Sequence, residues 1–303
     1  MARADEPPLR AVPLRHPGRW VAAVLLLGLL GWLGASAVSK GVIDWEAFRR
    51  FLFNPTIVEG ARNTVVLAVV SQVVGVVLGV GFAVMRLSRN PVLSAGSWSY
   101  IWFFRGTPVL VQLLFWYAAV PQVFSNITLA VPFTDIVLFS ARTTDLMTSF
   151  TAAFLGLALN EGAYMAEIVR AGILSVDQGQ GEAARALGMT PTLSMRRIVL
   201  PQAMKVIIPP TGNEFISMLK TTSLASVVIY GELLRRSRDI YSTNLKTLEL
   251  LLVASVWYLA ITSVATVGQY YLERRFARGS QLALPETPVQ RFRRLVGWSG
   301  YTA

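Results

Sequence analysis

A few polar side chains stand where the surrounding sequence is apolar for the length of a helix. Asn160 and Glu161 interrupt a run from about Met147 to Ile168. Asn213 and Glu214 fall inside a shorter run from about Lys205 to Thr222, which Lys220, Thr221 and Thr222 close. Charged and amide groups at membrane depth are costly unless they meet a partner or a cavity. The chemistry open to them is recognition: Glu161 or Glu214 meeting an ammonium and Lys220 a carboxylate, along a path for a zwitterion. The same groups can instead pair with one another or across a subunit interface, and Lys220, near a helix end, can snorkel to the headgroups. Covalent and metal chemistry have little to draw on. The chain has no cysteine, and its one histidine, His16, lies in an Arg- and Pro-rich tail. No nucleophile motif, metal-ligand cluster or pair of catalytic carboxylates occurs at depth, which leaves a membrane-embedded enzyme without support. No G-x-x-x-x-G-K-[ST] loop is present to cradle a nucleotide.

The elements that would carry these groups are membrane helices. Charged residues are 15% of the 303, against about 25% in an ordinary soluble chain. Six stretches are uncharged, or nearly so, over about the 20 residues needed to cross the hydrocarbon: Val21–Val38, Thr64–Met85, Gly106 to about Val123, about Met147–Ile168, about Lys205–Thr222 and Leu250–Leu272. The fifth is short and interrupted by Pro209, Pro210 and Gly212. Such broken spans free backbone groups that must face protein or a cavity. The net charge of +11 is explained by basic residues beside spans, so nucleic acid is not implied as a partner. With the N-terminus inside, most Lys and Arg fall on the inner side: Arg3, Arg10, Arg15 and Arg19 before the first span, then Arg86, Arg89 and Arg105 in an inner loop 86–105. Arg170, Arg185, Arg196, Arg197 and Lys205 follow in 167–205, and Arg274, Arg275 and Arg278 open the C-tail. Both tails are therefore expected in the cytoplasm. The outer cluster Arg235, Arg236 and Arg238 dissents, and suits a docking surface for an outside partner. Between the first two spans, Trp45, Phe48, Phe51 and Phe53 interleave with Glu46, Arg49 and Arg50 as in an interfacial helix. Gly75, Gly79 and Gly81 suggest close helix packing.

One inner loop is more specific than a connector needs to be. Gln180–Leu187 is rich in helix formers, Gly188 stands where a helix can end left-handed, and Thr190 with Pro191 offers a cap and first residue for a second helix. Ala183 and Leu187, four apart, make a small apolar ridge. In the cytoplasm this knuckle has little lipid to bury against and presents itself to another protein.

Glu182-Ala183-Ala184, then Gly188, Ile198 and Leu200-Pro201, resemble the EAA loop of ABC-importer permeases. Three further segments resemble the branch of that family that takes up polar amino acids: Phe104-Arg105-Gly106-Thr107-Pro108, Ala163–Ile173, and Leu200-Pro201-Gln202-Ala203 through Leu224. The resemblance covers about Asn54–Phe276. It implies an all-α integral membrane protein, with a five-helix permease core and one additional N-terminal span. By this reading residues 1–19 are a basic tail, 20–38 an anchor, 54–276 the permease domain with coupling loop 177–201, and 277–303 a second basic tail. Glu182, Ala183, Ala184, Leu187 and Gly188 would contact a cytoplasmic ATPase. The resemblance further implies two ATPase subunits holding ATP and Mg, a second permease chain, and an external binding protein, in a bacterial inner membrane. No cofactor is expected on this chain. Where many relatives carry Asp after the lysine, Thr221 stands here, which removes a charge partner for Lys220. Two other solute-moving readings compete: import of an opine-like solute or osmolyte, and a self-powered secondary transporter that would leave the loop unexplained.

Overall fold

Asn54 and Pro55 fix the entry to the longest helix. The Asn54 side chain accepts from the Thr56 amide, and Pro55 needs no donor in the first turn. The same Asn-Pro device, Asn90-Pro91, opens the next helix. The computed structural model describes residues 17–39, 41, 43–131, 134 and 136–277. In chain order the helices are α1 (Pro17–Ser39), α2 (Trp45–Leu52), α3 (Pro55–Arg86), α4 (Pro91–Gly106), α5 (Val109–Leu114), α6 (Val120–Val123) and α7 (Thr143–Leu146). They continue with α8 (Ser149–Leu174), α9 (Gln178–Ala186), α10 (Pro191–Ser194), α11 (Leu200–Thr221), α12 (Leu233–Asn244) and α13 (Thr247–Ala277). One π-turn, Phe115–Ala119, links α5 to α6, and another, Met195–Val199, links α10 to α11; a 3₁₀ turn, Thr222–Val228, follows α11. A two-stranded antiparallel hairpin, β1 (Asn126–Ala130) with β2 (Val137–Arg142), lies between α6 and α7. Neither this hairpin nor α12 was among the elements expected from the sequence. The basic tails expected at 1–19 and 277–303 fall almost wholly outside the described residues, as does His16.

The core is the parallel contact of α3 with α8, flanked by α4, α11 and α13. It is close because α3 puts glycine there. A Cβ on Gly75 would stand 2.5 Å from Glu161 Cγ, and one on Gly79 2.4 Å from Met165 Cβ. Gly81, read with them as a packing glycine, faces open space. Leu67, Ala68, Leu113, Leu157, Met218 and Leu219 fill the centre. α2 does more than float at an interface. Phe48, Phe51 and Leu52 pack on the cluster of Ile57, Leu233, Leu250 and Val253, and Trp257 Nε1 donates to Leu52 O at 2.7 Å. On α1, by contrast, Trp20, Val24, Leu25, Leu27 and Trp32 are exposed, as a helix in lipid would be.

Two expectations need correction. The segment 86–105 is no inner loop but helix α4, and the third span does not begin at Gly106. α4 and the helix Val109–Val123 form a pair bent by 101° at Thr107-Pro108. Pro108 disfavours helical backbone at the residue before it, and Thr107 is extended at φ −110, ψ 141. The second correction concerns Pro209 and Pro210, which lie inside one unbroken helix, α11. Side-chain donors support the backbone there: Thr211 Oγ1 donates to Ile207 O at 2.8 Å and Gln269 Nε2 to Pro209 O at 3.3 Å. Among the described residues α3 and Thr247–Phe276 are long and apolar enough to be spans, and the bent pair has the length and apolarity of one broken span or a re-entrant loop. Residues 149–174 and 200–221 are long enough to cross but carry the polar groups singled out above.

Candidate functional site

The bend at Thr107-Pro108 leaves carbonyls at the end of α4 without helical partners, and two side-chain amides, one buried and one half-buried, take them. Gln112 Nε2 donates to Phe104 O (3.0 Å), Thr107 O (3.1 Å) and Thr107 Oγ1 (2.8 Å). Asn160 Nδ2, reaching from α8, donates to Phe104 O at 2.8 Å. Asn160 thus ties α8 to the bend and holds the loop in place beside it.

Around that loop lies a cavity of about 600 Å³. Arg105, Gly106, Thr107, Pro108 and Val109 come from the bend, Leu157, Asn160, Glu161 and Tyr164 from α8, and Glu214, Ser217, Met218 and Thr221 from α11. The helical contributions recur at intervals of three and four, so each helix gives the cavity one face. Four of the seven residues singled out at depth meet here: Asn160, Glu161, Glu214 and Thr221. Three do not. Asn213 turns toward α13, where Gln269 Nε2 donates to its Oδ1 at 3.0 Å. Thr222 is fully buried and donates to Leu219 O at 2.8 Å. Lys220 lines a separate cleft with Ser223, Ser255, Tyr258, Leu259 and Thr262.

The cation in the cavity is Arg105, a residue that sequence reasoning had assigned to an inner anchor. Its guanidinium carbon lies 5.1 Å from the Tyr164 ring centroid. Tyr164 and Ser217 were also passed over, although each sits three residues beyond a glutamate already chosen. Glu161 is buried and fixed by Gln72 Nε2, which donates to its Oε1 at 3.0 Å. Two carboxylates, one guanidinium and a rim of amide and hydroxyl groups therefore line one membrane-depth cavity. Such a set can hold a small molecule with an anionic group and one or more cationic ones; it offers no nucleophile–base pair.

Beyond the end of α8, α9 and α10 form the expected helix–glycine–helix knuckle. Asp177 caps α9 by accepting from the Gly179 amide. The helix ends in a Schellman turn: Met189 N donates to Ala184 O (3.0 Å) and Gly188 N to Arg185 O (2.9 Å), with Gly188 at φ +75. Thr190 caps α10 by accepting from Leu193 N, with Pro191 as its first residue. Ala184 is buried under the turn, whereas Glu182, Ala183 and Gly188 are exposed and Leu187 is 82% exposed. The ridge of Ala183 and Leu187 is uncovered. On α12 the dissenting arginines are partly spoken for: Arg235 pairs with Asp239 at 2.9 Å and Arg236 with Glu59 at 2.7 Å.

The model of one protein family, described as the binding-protein-dependent transport system inner membrane component, matches residues 75–278. The arginine transport system permease protein ArgU of Corynebacterium glutamicum is 50% identical over 282 residues, 93% of this chain and 87% of that protein. The glutamine transport system permease protein GlnP of Escherichia coli is 33% identical over 232 residues, 77% of this chain and 97% of that protein. Among solved structures, the crystal structure of an amino acid ABC transporter with histidines superposes with a TM-score of 0.65 at 35% identity, covering 77% of this chain and 99% of the other. A chain of the MetNI methionine ABC transporter, 19% identical with a TM-score of 0.60, shares the fold.

Proposed function

This chain belongs to the family of binding-protein-dependent transport system inner membrane components, and from that premise we propose that it imports basic amino acids through the cavity between the α4–α5 bend, α8 and α11. As a member of that family it is a multi-pass inner-membrane permease subunit of an ABC importer for amino acids, and works with an ATPase and a solute-binding protein. An ion-gradient-driven transporter has no support from this membership.

The balance of charge in the cavity carries the reading. Glu161 and Glu214 supply two carboxylates against the single guanidinium of Arg105. An amino acid with a cationic side chain brings two positive groups and one negative, the complement of that set. A glutamate would place two carboxylates against two, and a like-charge contact at low dielectric is strongly disfavoured. That ArgU is an arginine permease agrees with this balance. Lys220, once the candidate partner for the solute carboxylate, lies in another cleft, and Arg105 takes that role. Thr107, Ser217 and Thr221 supply hydroxyls at the rim, and Asn160 positions the bend.

Energy enters from another polypeptide. The ATPase holds ATP and Mg, and seats the exposed knuckle formed by Glu182, Ala183, Leu187 and Gly188 in a groove, with Ala184 packed behind it. Two permease chains, alike or similar, complete the pathway. Both termini lie in the cytoplasm, on the side of the knuckle, and the binding protein delivers solute to the hairpin and α12 side. Closure of the ATPases draws the knuckles together and changes which side the cavity faces.

Uptake into proteoliposomes that hold the chain with its ATPase and binding protein tests this. Labelled L-arginine or L-lysine should enter only with ATP, and labelled L-glutamate should not. Uptake of arginine that persists without ATP, or of glutamate at an equal rate, would count against it.

A further inference from the structure

We propose that the contact of Arg105 with Tyr164 is the inner door of the solute cavity. This rests on the reading of that cavity as the solute site and names what closes it toward the cytoplasm. A second concavity of about 490 Å³ lies directly below, lined by Arg86, Trp98, Ile101, Trp102, Glu167 and Arg170 together with Arg105 and Gly106. Arg105 and Gly106 belong to both spaces. One face of α8 runs through them in turn: Leu157, Asn160, Glu161 and Tyr164 line the cavity, then Glu167 and Arg170 line the lower space. The lower space opens at the inner end of the bundle, where Arg86 ends α3 and α8 leads toward the knuckle. It is a vestibule on the route out. Where the two spaces meet, the Arg105 guanidinium lies over the Tyr164 ring, 5.1 Å from its centroid.

The vestibule's other charges are already held. Arg170 pairs with Glu167, and its Nε lies 3.1 Å from Glu167 Oε2. Arg86 donates to Ser94 Oγ at 2.8 Å. Arg105, by contrast, makes no ion pair or side-chain hydrogen bond among the described residues: Glu167 and Glu214 attract it from further off, and the ring face is a weaker hold than a paired carboxylate offers. Arg105 stands in the last turn of α4 beside the 101° bend, where rotation about its own side-chain bonds moves the guanidinium without disturbing the packed part of α4. An arriving solute brings a carboxylate into the cavity. A two-pronged, charge-assisted pair with that carboxylate displaces the ring contact, so the door yields to the solute that is to pass.

The absence of cysteine makes the door measurable. Ser217→Cys places a thiol in the cavity, and Trp102→Cys places one in the vestibule as a control. Inside-out vesicles carrying the assembled transporter are treated with a membrane-impermeant charged maleimide. The vestibule thiol should react readily in every background, which also shows that each variant is folded and inserted. The cavity thiol should react slowly with Tyr164 in place, about tenfold faster with Tyr164→Ala, and at the parent rate with Tyr164→Phe, whose ring face is kept. Equal labelling of the cavity thiol with and without the ring overturns the door, as does labelling in Tyr164→Phe as fast as in Tyr164→Ala. Protection of the cavity thiol by L-arginine in the Tyr164→Ala background reports on the solute site separately. Without protection but with a tenfold rise, the door stands and the solute assignment falls.

Discussion

Glu161 shows how one side chain joins packing to recognition. It is buried, held by Gln72, and pressed by Gly75 on α3, so its carboxylate has one place to be. Glu161→Gln keeps the shape and removes the charge. Charged hydrogen bonds contribute roughly 1.5–3 kcal/mol, so we expect about 10- to 100-fold weaker arginine binding. Thermal stability should change little, and isothermal binding alongside a melting scan separates the two. Gly75→Ala should behave in the opposite way. Its Cβ would stand 2.5 Å from Glu161 Cγ, and overpacking typically costs about 1–3 kcal/mol. A lowered melting temperature and lost uptake are expected together; a fully stable Gly75→Ala variant would contradict the packing described here. The acids at depth were legible because a charge in an apolar run stands out. Arg105 was not, because it sits at the edge of such a run, where an anchoring arginine is ordinary. Only the bend, held by nearby Gln112 and by Asn160 from a distant position in the sequence, turns it into the cavity.

Local chemistry set the ends of elements, and these could be read. Thr190 with Pro191 and the left-handed Gly188 shape the knuckle by short-range rules alone. The bent α4–α5 pair and the continuous α11 depend on side chains from other helices, so a proline count misjudged both. Gly188→Ala should strain the Schellman turn by about 1–2 kcal/mol. Glu182→Lys with Gly188→Trp should abolish ATPase retention and uptake while leaving insertion intact; pull-down of the ATPase reads this, and unchanged retention would remove the knuckle from the coupling route. Ahead of α2, Asp44 caps that helix and pairs with Lys246 at 2.9 Å. The Ala47 amide and Lys246 hold the Asp44 carboxyl below its ordinary range, and Asp44 holds the Lys246 ammonium above its own. A depressed acid stabilises above its unfolded pKa and loses that contribution as pH falls through its folded value. A raised lysine stabilises below its unfolded pKa and loses the contribution as pH climbs through its folded value. The clip therefore operates through neutral pH and releases on acidification. The melting difference between wild type and Asp44→Asn should shrink below about pH 4, and a difference constant with pH would show that the pair does nothing.

At the scale of the molecule, one rigid contact organises the rest. α3 and α8 meet through glycine, α8 carries the cavity face and continues to the knuckle, and α11 closes the cavity from the far side. On the proposed coupling route, a displaced knuckle would carry α8, and with it Glu161 and Tyr164. The helical membrane architecture was legible from apolar run lengths. The β1–β2 hairpin was not, since β2 lacks a buried face and shows no clean alternation of exposure. The selectivity of the complete importer also reflects its binding protein, so the account is tested most directly without it. Equilibrium binding of labelled L-arginine to the purified permease–ATPase complex, with no binding protein present, should be saturable. It should be lost in the Glu161→Gln/Glu214→Gln double variant and resist competition by L-glutamate. Undiminished arginine binding in that double variant, or competition by glutamate as strong as by lysine, would contradict the claim that these two carboxylates choose the solute.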